Sequence, residues 1–214
     1  MRLLAASLLM GLLFLNTPVA ATFEDCSCVA DDGSCHASIS CAGGCIAMCP
    51  SGGCRAVCSG GYAGFMDFTM SVTMHQTHSN SIQVAAELAH ITGQSVVITP
   101  FKADDTISLD VKRAKLWDVL ELLSASGKIE IGGEDFAKLQ NIRKSLVSGE
   151  KMAVCIHNTS VQRAIDEFTS LSGLPIHATS GDPKTVVSLT LKDATLDDIL
   201  VQLSSQSGVE ISKN

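Results

Sequence analysis

Residues 187–211 read VSLTLKDATLDDILVQLSSQSGVEI, and this stretch determines the fold expected for the end of the chain. Its first part alternates apolar and polar residues, which predicts a half-buried strand. Thr195 follows as a helix N-cap, and Gly208 is expected to end the helix ahead of a final strand. The apolar face of that helix consists of Leu196, Ile199, Leu200 and Leu203. The stretch therefore predicts the order strand, helix, strand.

The residues before this stretch extend the prediction toward the N-terminus. Met152, Val154 and Ile156 alternate as a strand does, and Ser160 provides a cap for a helix that Gly173 closes. A second strand is expected over 174–178, and the sequence Gly-Asp-Pro that follows favours a turn. The final part of the chain is therefore predicted to be a β-α-β-β-α-β module.

The sequence contains two copies of this module. An offset of 80 residues superimposes residues 87–124 on residues 167–204. A slightly different register pairs three residues of the first strand, Met70, Val72 and His75, with Met152, Val154 and His157, and it pairs Gly127 with Gly208. The identical pairs at the main offset are Glu87/Glu167, Gly93/Gly173, Thr99/Thr179, Ser108/Ser188, Leu109/Leu189, Lys112/Lys192, Ala114/Ala194, Leu116/Leu196, Asp118/Asp198, Leu120/Leu200, Leu123/Leu203 and Ser124/Ser204. Repetition of this kind indicates a duplicated structural unit.

The repeated unit resembles the secretin and TonB N-terminus short domain. The resemblance is carried by residues 187–211, with the corner Lys192-Asp-Ala-Thr-Leu196, and less completely by 107–131, with the corner Lys112-Arg-Ala-Lys-Leu116. It implies a small α+β module that docks onto other envelope proteins, such as a secretion-system or TonB-linked component. It carries no catalytic signature.

The expected architecture is α+β, with two tandem modules behind a small disulfide-rich segment. Residues 1–21 read as a secretory signal peptide, with a basic start, an apolar run and a small-residue cleavage site. Residues 22–64 form the Cys/Gly-rich segment, called the head below. The modules cover 65–132 and 150–214, and 133–149 between them predict a linking helix with an apolar side of Phe136, Leu139, Ile142 and Leu146.

The head is too small and polar to be held together by a hydrophobic core alone. Cysteines behind an export signal favour four disulfides, whose pairing the sequence leaves open, although Cys26 and Cys28 are too close in sequence to be good partners. The eight cysteines concerned are Cys26, Cys28, Cys35, Cys41, Cys45, Cys49, Cys54 and Cys58. The alternative chemistry is a zinc or iron–sulfur site formed by Cys41, Cys45, Cys49, Cys54 and Cys58.

Cys155 and Trp117 can each be interpreted in two ways. Cys155 should lie on the opposite face of its strand from Val154 and Ile156, either as a buried small thiol or as a site of pairing with another chain or of redox chemistry. Trp117 is expected to have a partly buried packing role, with a contact patch as the alternative.

No catalytic residue, metal ligand or cofactor is predicted. His75, His78 and His157 lack the matched partners that a metal site needs, and they are read as marking strand ends. Asp104 and Asp105 lie in a loop, where they favour turn formation over acid–base catalysis.

Net charge and the length of the apolar runs restrict the classes of partner that the chain is expected to bind. It holds 15 Lys and Arg against 22 Asp and Glu, a formal net charge of −7, which argues against nucleic acid as a partner. Outside the signal peptide, no apolar run is long enough for a membrane span. The sequence therefore predicts an exported, non-enzymatic protein-binding protein of the periplasm or outer membrane surface, with a metal- or redox-handling Cys-rich protein as the alternative. This argument for a docking protein depends on the duplication, and it would collapse if the two halves had unlike topologies or if a single continuous core spanned both.

Overall fold

The computed structural model describes residues 23–29, 35–51, 53–59 and 66–214, and for residues 23, 24, 28 and 29 it describes the backbone alone. The predicted signal peptide lies outside these residues. Helices and strands are both abundant within the described residues, so the predicted α+β class is confirmed. Among these residues, no helix combines the length and the apolar character that a membrane crossing requires.

The head consists of four short strands. The first two form an antiparallel hairpin, and the third and fourth form another. Their bounds are β1 (Phe23–Val29), β2 (His36–Ala42), β3 (Cys45–Cys49) and β4 (Arg55–Cys58).

The first copy of the repeat follows the predicted order of elements. Its first and third strands pair antiparallel, and its second and fourth strands do the same. The elements are β5 (Ser71–Ser79), α1 (Ser81–Thr92), β6 (Val96–Pro100), β7 (Ile107–Lys115), α2 (Leu116–Ser124) and β8 (Gly127–Ile131). A short strand and a helix come next, β9 (Glu134–Asp135) and α3 (Phe136–Ser148), and α3 buries all four residues of the predicted apolar side.

The second copy has the same order and the same pairing. Ser160 and Thr195 cap its helices as predicted, and Gly173 and Gly208 end them in the left-handed conformation that glycine adopts without strain. Its elements are β10 (Met152–Ser160), α4 (Val161–Ser172), β11 (Ile176–Ser180), β12 (Val186–Ala194), α5 (Leu196–Ser207) and β13 (Glu210–Lys213).

The two copies share irregular backbone geometry as well as regular elements. His78 and Arg113 have positive φ angles of 52° and 54°, and their counterparts at the offset of 80, Asn158 and Asp193, have 47° and 56°. Each lies where the pairing of two strands shifts register. The duplication therefore extends to strained positions that few residues other than glycine adopt.

Strand pairing corrects the register predicted for the first strand. Val72 opposes Ala114 as Met152 opposes Ala194, so Val72 is equivalent to Met152 and the offset of 80 holds here too. The predicted pairings of Met70 with Met152, Val72 with Val154 and His75 with His157 are therefore wrong, because these residue identities do not reflect equivalent positions in the two strands. Gly127 and Gly208 are not equivalent either, since Gly127 begins β8 and Gly208 ends α5.

The head is joined to the second copy by main-chain pairing. β3 pairs antiparallel with β10, which gives a four-stranded sheet in the order β12-β10-β3-β4. The hairpin of β1 and β2 contacts β3, β4 and β10. The sequence did not predict that the head completes a sheet of the second module.

One hydrophobic core runs through both copies and includes residues of the head. Trp117 lies at the junction, fully buried, and its indole N–H donates to the carbonyl of Ser170 on α4 at 3.1 Å. Its ring packs on Phe68 and Phe136, with centroids 4.8 and 5.1 Å away. Trp117 therefore packs inside the fold, and the two copies form one body. Duplication alone no longer argues for docking.

Candidate functional site

Three disulfides of the head are formed within the described residues. They join Cys26 to Cys45, Cys35 to Cys54 and Cys41 to Cys58, with Cα–Cα distances of 5.5 to 5.9 Å. Cys49 is also disulfide-bonded. Each of these three bridges joins β1, β2 or the segment before β2 to β3, β4 or the segment before β4. They therefore fasten one hairpin over the other and confirm the predicted disulfide chemistry for these six cysteines.

The contact between β3 and β10 shows how this fold accepts an added strand. Five residue pairs are in register, from Ala153 opposite Cys49 to His157 opposite Cys45. Thr159 Oγ1 donates to the Cys45 carbonyl at 3.1 Å, next to the point where the strands separate. Gly44 approaches β10 so closely that an added Cβ would lie 2.1 Å from the Asn158 carbonyl oxygen. The head thus covers the edge of β10 from Ala153 to His157.

A buried ion pair reinforces this docking. Arg55 on β4 contacts Glu167 on α4, and only 2% and 1% of their side chains are exposed. The Nε of Arg55 also donates to Glu134 of β9 at 2.7 Å. Because a buried charge that loses its partner is strongly destabilising, this ion pair favours the observed position of the head.

Arg163 on α4 adds a second polar contact to the head. Its Nη2 donates to the Cys58 carbonyl at 3.4 Å. Burial is the main cause that lowers the pKa of Arg163 from its ordinary value, while nearby Asp166 acts in the opposite direction and Arg55 adds to the lowering. Because an arginine stays protonated in proteins, the consequence is structural.

The edge of the first copy that corresponds to the covered edge of β10 is the outer edge of β5. Within the described residues β5 pairs with β7 and with no other strand. Its sequence, SVTMHQTHS, contains no proline and no Lys, Arg, Asp or Glu. Proline and charged residues are common protections of edge strands, so β5 is an edge of nine residues without them.

A second surface is covered in one copy and open in the other. In the first copy, Trp117 of α2 lies against Phe136 of α3, and Arg143 of α3 lies over the indole ring at 4.7 Å. In the second copy, the corresponding groove between α5 and β13 has a volume of about 510 Å³, and Val201 on it is 63% exposed. The groove is lined by Asp197, Leu200, Val201, Ser204, Ser205, Ile211 and Lys213.

The structure does not bring the three histidines together. His75 is exposed on β5 and its Nδ1 lies 3.4 Å from a carboxylate oxygen of Asp110 on β7. His78 occupies the bulge near the end of β5, and His157 lies on β10 next to the head. Neither His75 nor His157 is at a strand end, so that part of the interpretation is wrong.

Asp105 forms a turn, as predicted. Its carboxylate accepts from the backbone N–H of Lys102 at 3.2 Å, and its own N–H donates to the Lys102 carbonyl at 3.1 Å. In the second copy Asp182 has the same function, because its carboxylate accepts from the N–H of Lys184 at 3.0 Å.

Cys155 is a free, half-buried thiol on the face of β10 that points toward the head. Its position opposite Val154 and Ile156, which lie in the main core, is the one predicted. The sulfurs of Cys35, Cys49 and Cys54 lie within 4.8 Å of one another. All three belong to disulfides, and a disulfide sulfur is not the thiolate that binds zinc.

The perturbed pKa values outside the head have structural causes. The pKa values of Arg163 and Asp198 clearly depart from their ordinary values. The backbone N–H of Thr195 is the main cause that lowers the pKa of Asp198, and the Thr195 hydroxyl adds to it. This pair caps α5, so the shift belongs to a helix terminus.

Sequence reasoning missed the docking of the head. The run Cys45-Ile-Ala-Met-Cys49 is buried throughout and carries no charge, which is the pattern of a strand inside a sheet. Arg55 lies in a polar, glycine-rich segment, and its burial was not expected. Its partner Glu167 is far away in the sequence, so residue spacing could not reveal the ion pair. In comparisons with protein families, curated proteins and solved structures, nothing matches the chain.

Proposed function

We propose that this chain is an exported, non-enzymatic protein-binding protein of the periplasm or outer membrane surface, and that it binds through open surfaces of its α+β body. The observation that carries the proposal is the open outer edge of β5, a strand whose counterpart β10 is covered by an added strand. Main-chain groups of such an edge bind an extended partner segment, and neighbouring side chains provide selectivity.

The proposal differs from one based on two independent modules. Because one core runs through both copies, they present their surfaces in a fixed relation to each other. The resemblance to the secretin and TonB short domain supports partners of the envelope, such as a secretion-system or TonB-linked component. The disulfides support an oxidising compartment.

Site-specific photo-crosslinking of the exported chain tests this function. A photoreactive residue replaces Thr73 on β5 or Val201 on α5, and the control replaces Lys184 in the exposed turn before β12. We expect a discrete, saturable adduct with an exported protein from Thr73 or Val201 and none from Lys184. Equal labelling from all three positions, or no adduct from any, would contradict the proposal.

The alternative is a metal- or redox-handling function of the head. The sulfurs of Cys35, Cys49 and Cys54 lie close together, but their disulfides would have to be reduced before they could hold a metal. Thiol titration and metal analysis of the exported chain separate the two functions. One reactive thiol, from Cys155, and no bound metal support protein binding. Stoichiometric zinc or reactive thiols in the head support the alternative.

A further inference from the structure

The second copy shows how this module holds an added β-hairpin. Three of its parts hold the head: the edge of β10, the carboxylate of Glu167 and the guanidinium of Arg163. The segment they hold is the hairpin of β3 and β4. Its inner strand turns Ile46 and Met48 into the main core, and its outer strand brings Arg55 to Glu167.

The first copy presents the counterparts of these three parts without the head. β5 corresponds to β10, Glu87 on α1 to Glu167, and Gln83 to Arg163. Glu87 and Gln83 are both exposed, and Glu87 forms no ion pair with another described residue. Both copies therefore have a carboxylate at equivalent positions, Glu87 and Glu167. Among the described residues, a buried arginine pairs with Glu167 but not with Glu87.

The backbone at the two edges is the same. The strands share both register shifts, and the N–H groups of His78 and Asn158 donate to the equivalent hydroxyls of Ser108 and Ser188, at 3.1 and 2.9 Å. An antiparallel strand that fits along β10 thus meets main-chain groups in the same arrangement along β5.

We propose that the edge of β5, together with Glu87, binds a β-hairpin of a partner protein that has the chemistry of the chain's own β3–β4 hairpin. The inner strand of that hairpin pairs antiparallel with β5 and carries apolar residues at alternate positions. Its outer strand carries an arginine or lysine that reaches Glu87. This inference rests on the proposed protein-binding function and names the chemistry of one partner.

A cyclic peptide with the sequence of residues 45–58 serves as the probe. Cys45 and Cys58 face each other across β3 and β4, so a disulfide between them closes the hairpin, and serine replaces Cys49 and Cys54. Three forms are compared: the natural one with Arg55, one with Arg55→Ala and one with Arg55→Glu. Binding to the isotope-labelled, oxidised full chain is followed by amide chemical shifts.

We expect shifts in residues 71–79 and in α1, with the arginine peptide binding most tightly and the glutamate peptide least, at least about fivefold apart. In the Glu87→Arg chain this order should reverse. The matched control chain, Glu130→Arg, changes an exposed glutamate on β8 and should keep the original order.

Three results would overturn the inference: no shifts in residues 71–79 with any peptide, an affinity order that Glu87→Arg leaves unchanged, or shifts confined to another surface. Concentration-dependent self-association of the chain at β5 that the arginine peptide displaces would also overturn it, because the occupant would then be a second copy. An adduct from Val201 in the crosslinking experiment would still support the proposed function in any of these cases.

Discussion

At the scale of single residues, the repeat preserves hydrogen bonds that hold its bulges. Ser108 and Ser188 are exposed, yet each hydroxyl accepts from the N–H of a residue in the left-handed conformation, His78 or Asn158. The identity of these two serines was visible in the sequence, but their function was not, because a strand bulge leaves no periodic signal.

We therefore predict that Ser108→Ala and Ser188→Ala each lower the free energy of unfolding by about 0.5 to 1 kcal/mol, because each leaves a backbone donor without its partner. Urea denaturation of the two variants measures the loss. Ser71→Ala, at an exposed position of β5, is the control and should leave stability unchanged. Loss of stability in one variant alone would show that the two bulges are not energetically equivalent.

The cap of α5 gives a pH-dependent prediction. Hydrogen bonds from Thr195 lower the pKa of Asp198, so its carboxylate stabilises the folded state above its unfolded pKa of about 3.9. This stabilisation is lost as the pH falls through the lower pKa of the folded state. Asp198→Asn should therefore lower the melting temperature near neutral pH, and the difference from the natural chain should vanish in acid.

Thermal unfolding between about pH 2 and pH 7 measures this effect. Asp118→Asn is the matched control, since Asp118 is the counterpart on α2, where no side chain caps the helix. If the difference in melting temperature between Asp198→Asn and the natural chain stayed constant down to the acid end of the range, the ionised Asp198 carboxylate would not be the source of the stabilisation.

At the scale of elements, the close packing of the head against β10 gives a graded test. An added Cβ at Gly44 would lie 2.1 Å from a backbone oxygen of Asn158, whereas one at Gly53 would meet Ile142 Cγ1 and Lys138 O at 3.2 Å. We predict that Gly44→Ala destabilises the chain by about 2 kcal/mol or more, because backbone must move. Gly53→Ala should cost clearly less.

Chemical denaturation of the oxidised variants measures both changes. Hydrogen exchange then locates the effect of Gly44→Ala, which should raise exchange in β3 and β10 and leave β5 unchanged. Equal effects of the two substitutions would show that β3 does not lie against β10 as closely as described.

The buried ion pair between β4 and α4 predicts a non-additive pair of substitutions. Arg55→Met leaves Glu167 buried without its partner, and we expect it to cost about 3 to 5 kcal/mol. The double variant Arg55→Met, Glu167→Met should recover most of that loss, since no buried charge remains. Stability measurements on both single variants and the double variant give the coupling energy; additive losses would contradict the pairing.

Elements were the level at which the sequence was most informative. The alternation of Met152, Val154 and Ile156 and the caps Ser160 and Thr195 placed the second copy correctly, because these signals are local. The pairing of β3 with β10 could not be read in the same way. Strand pairing between distant segments depends on which edges remain free after folding, and local periodicity contains no such information.

At the scale of the whole molecule, the continuous core implies a single unfolding transition. Trp117 is the one tryptophan of the chain and lies where α2, α3 and α4 meet. We predict that its fluorescence and the far-ultraviolet circular dichroism of the oxidised chain change at the same denaturant concentration. Two separated transitions would show that the copies unfold independently, as the sequence alone suggested.

The hydrogen bond between Thr159 and Cys45 joins residues that are 114 positions apart. During synthesis from the N-terminus, the head appears long before β10, the strand beside which it lies. Closing so long a loop is slow compared with local helix formation. We therefore expect helices to form before β10 covers the cysteines of the head, so formation of the native disulfides depends on the relative rates of thiol oxidation and of pairing between β3 and β10.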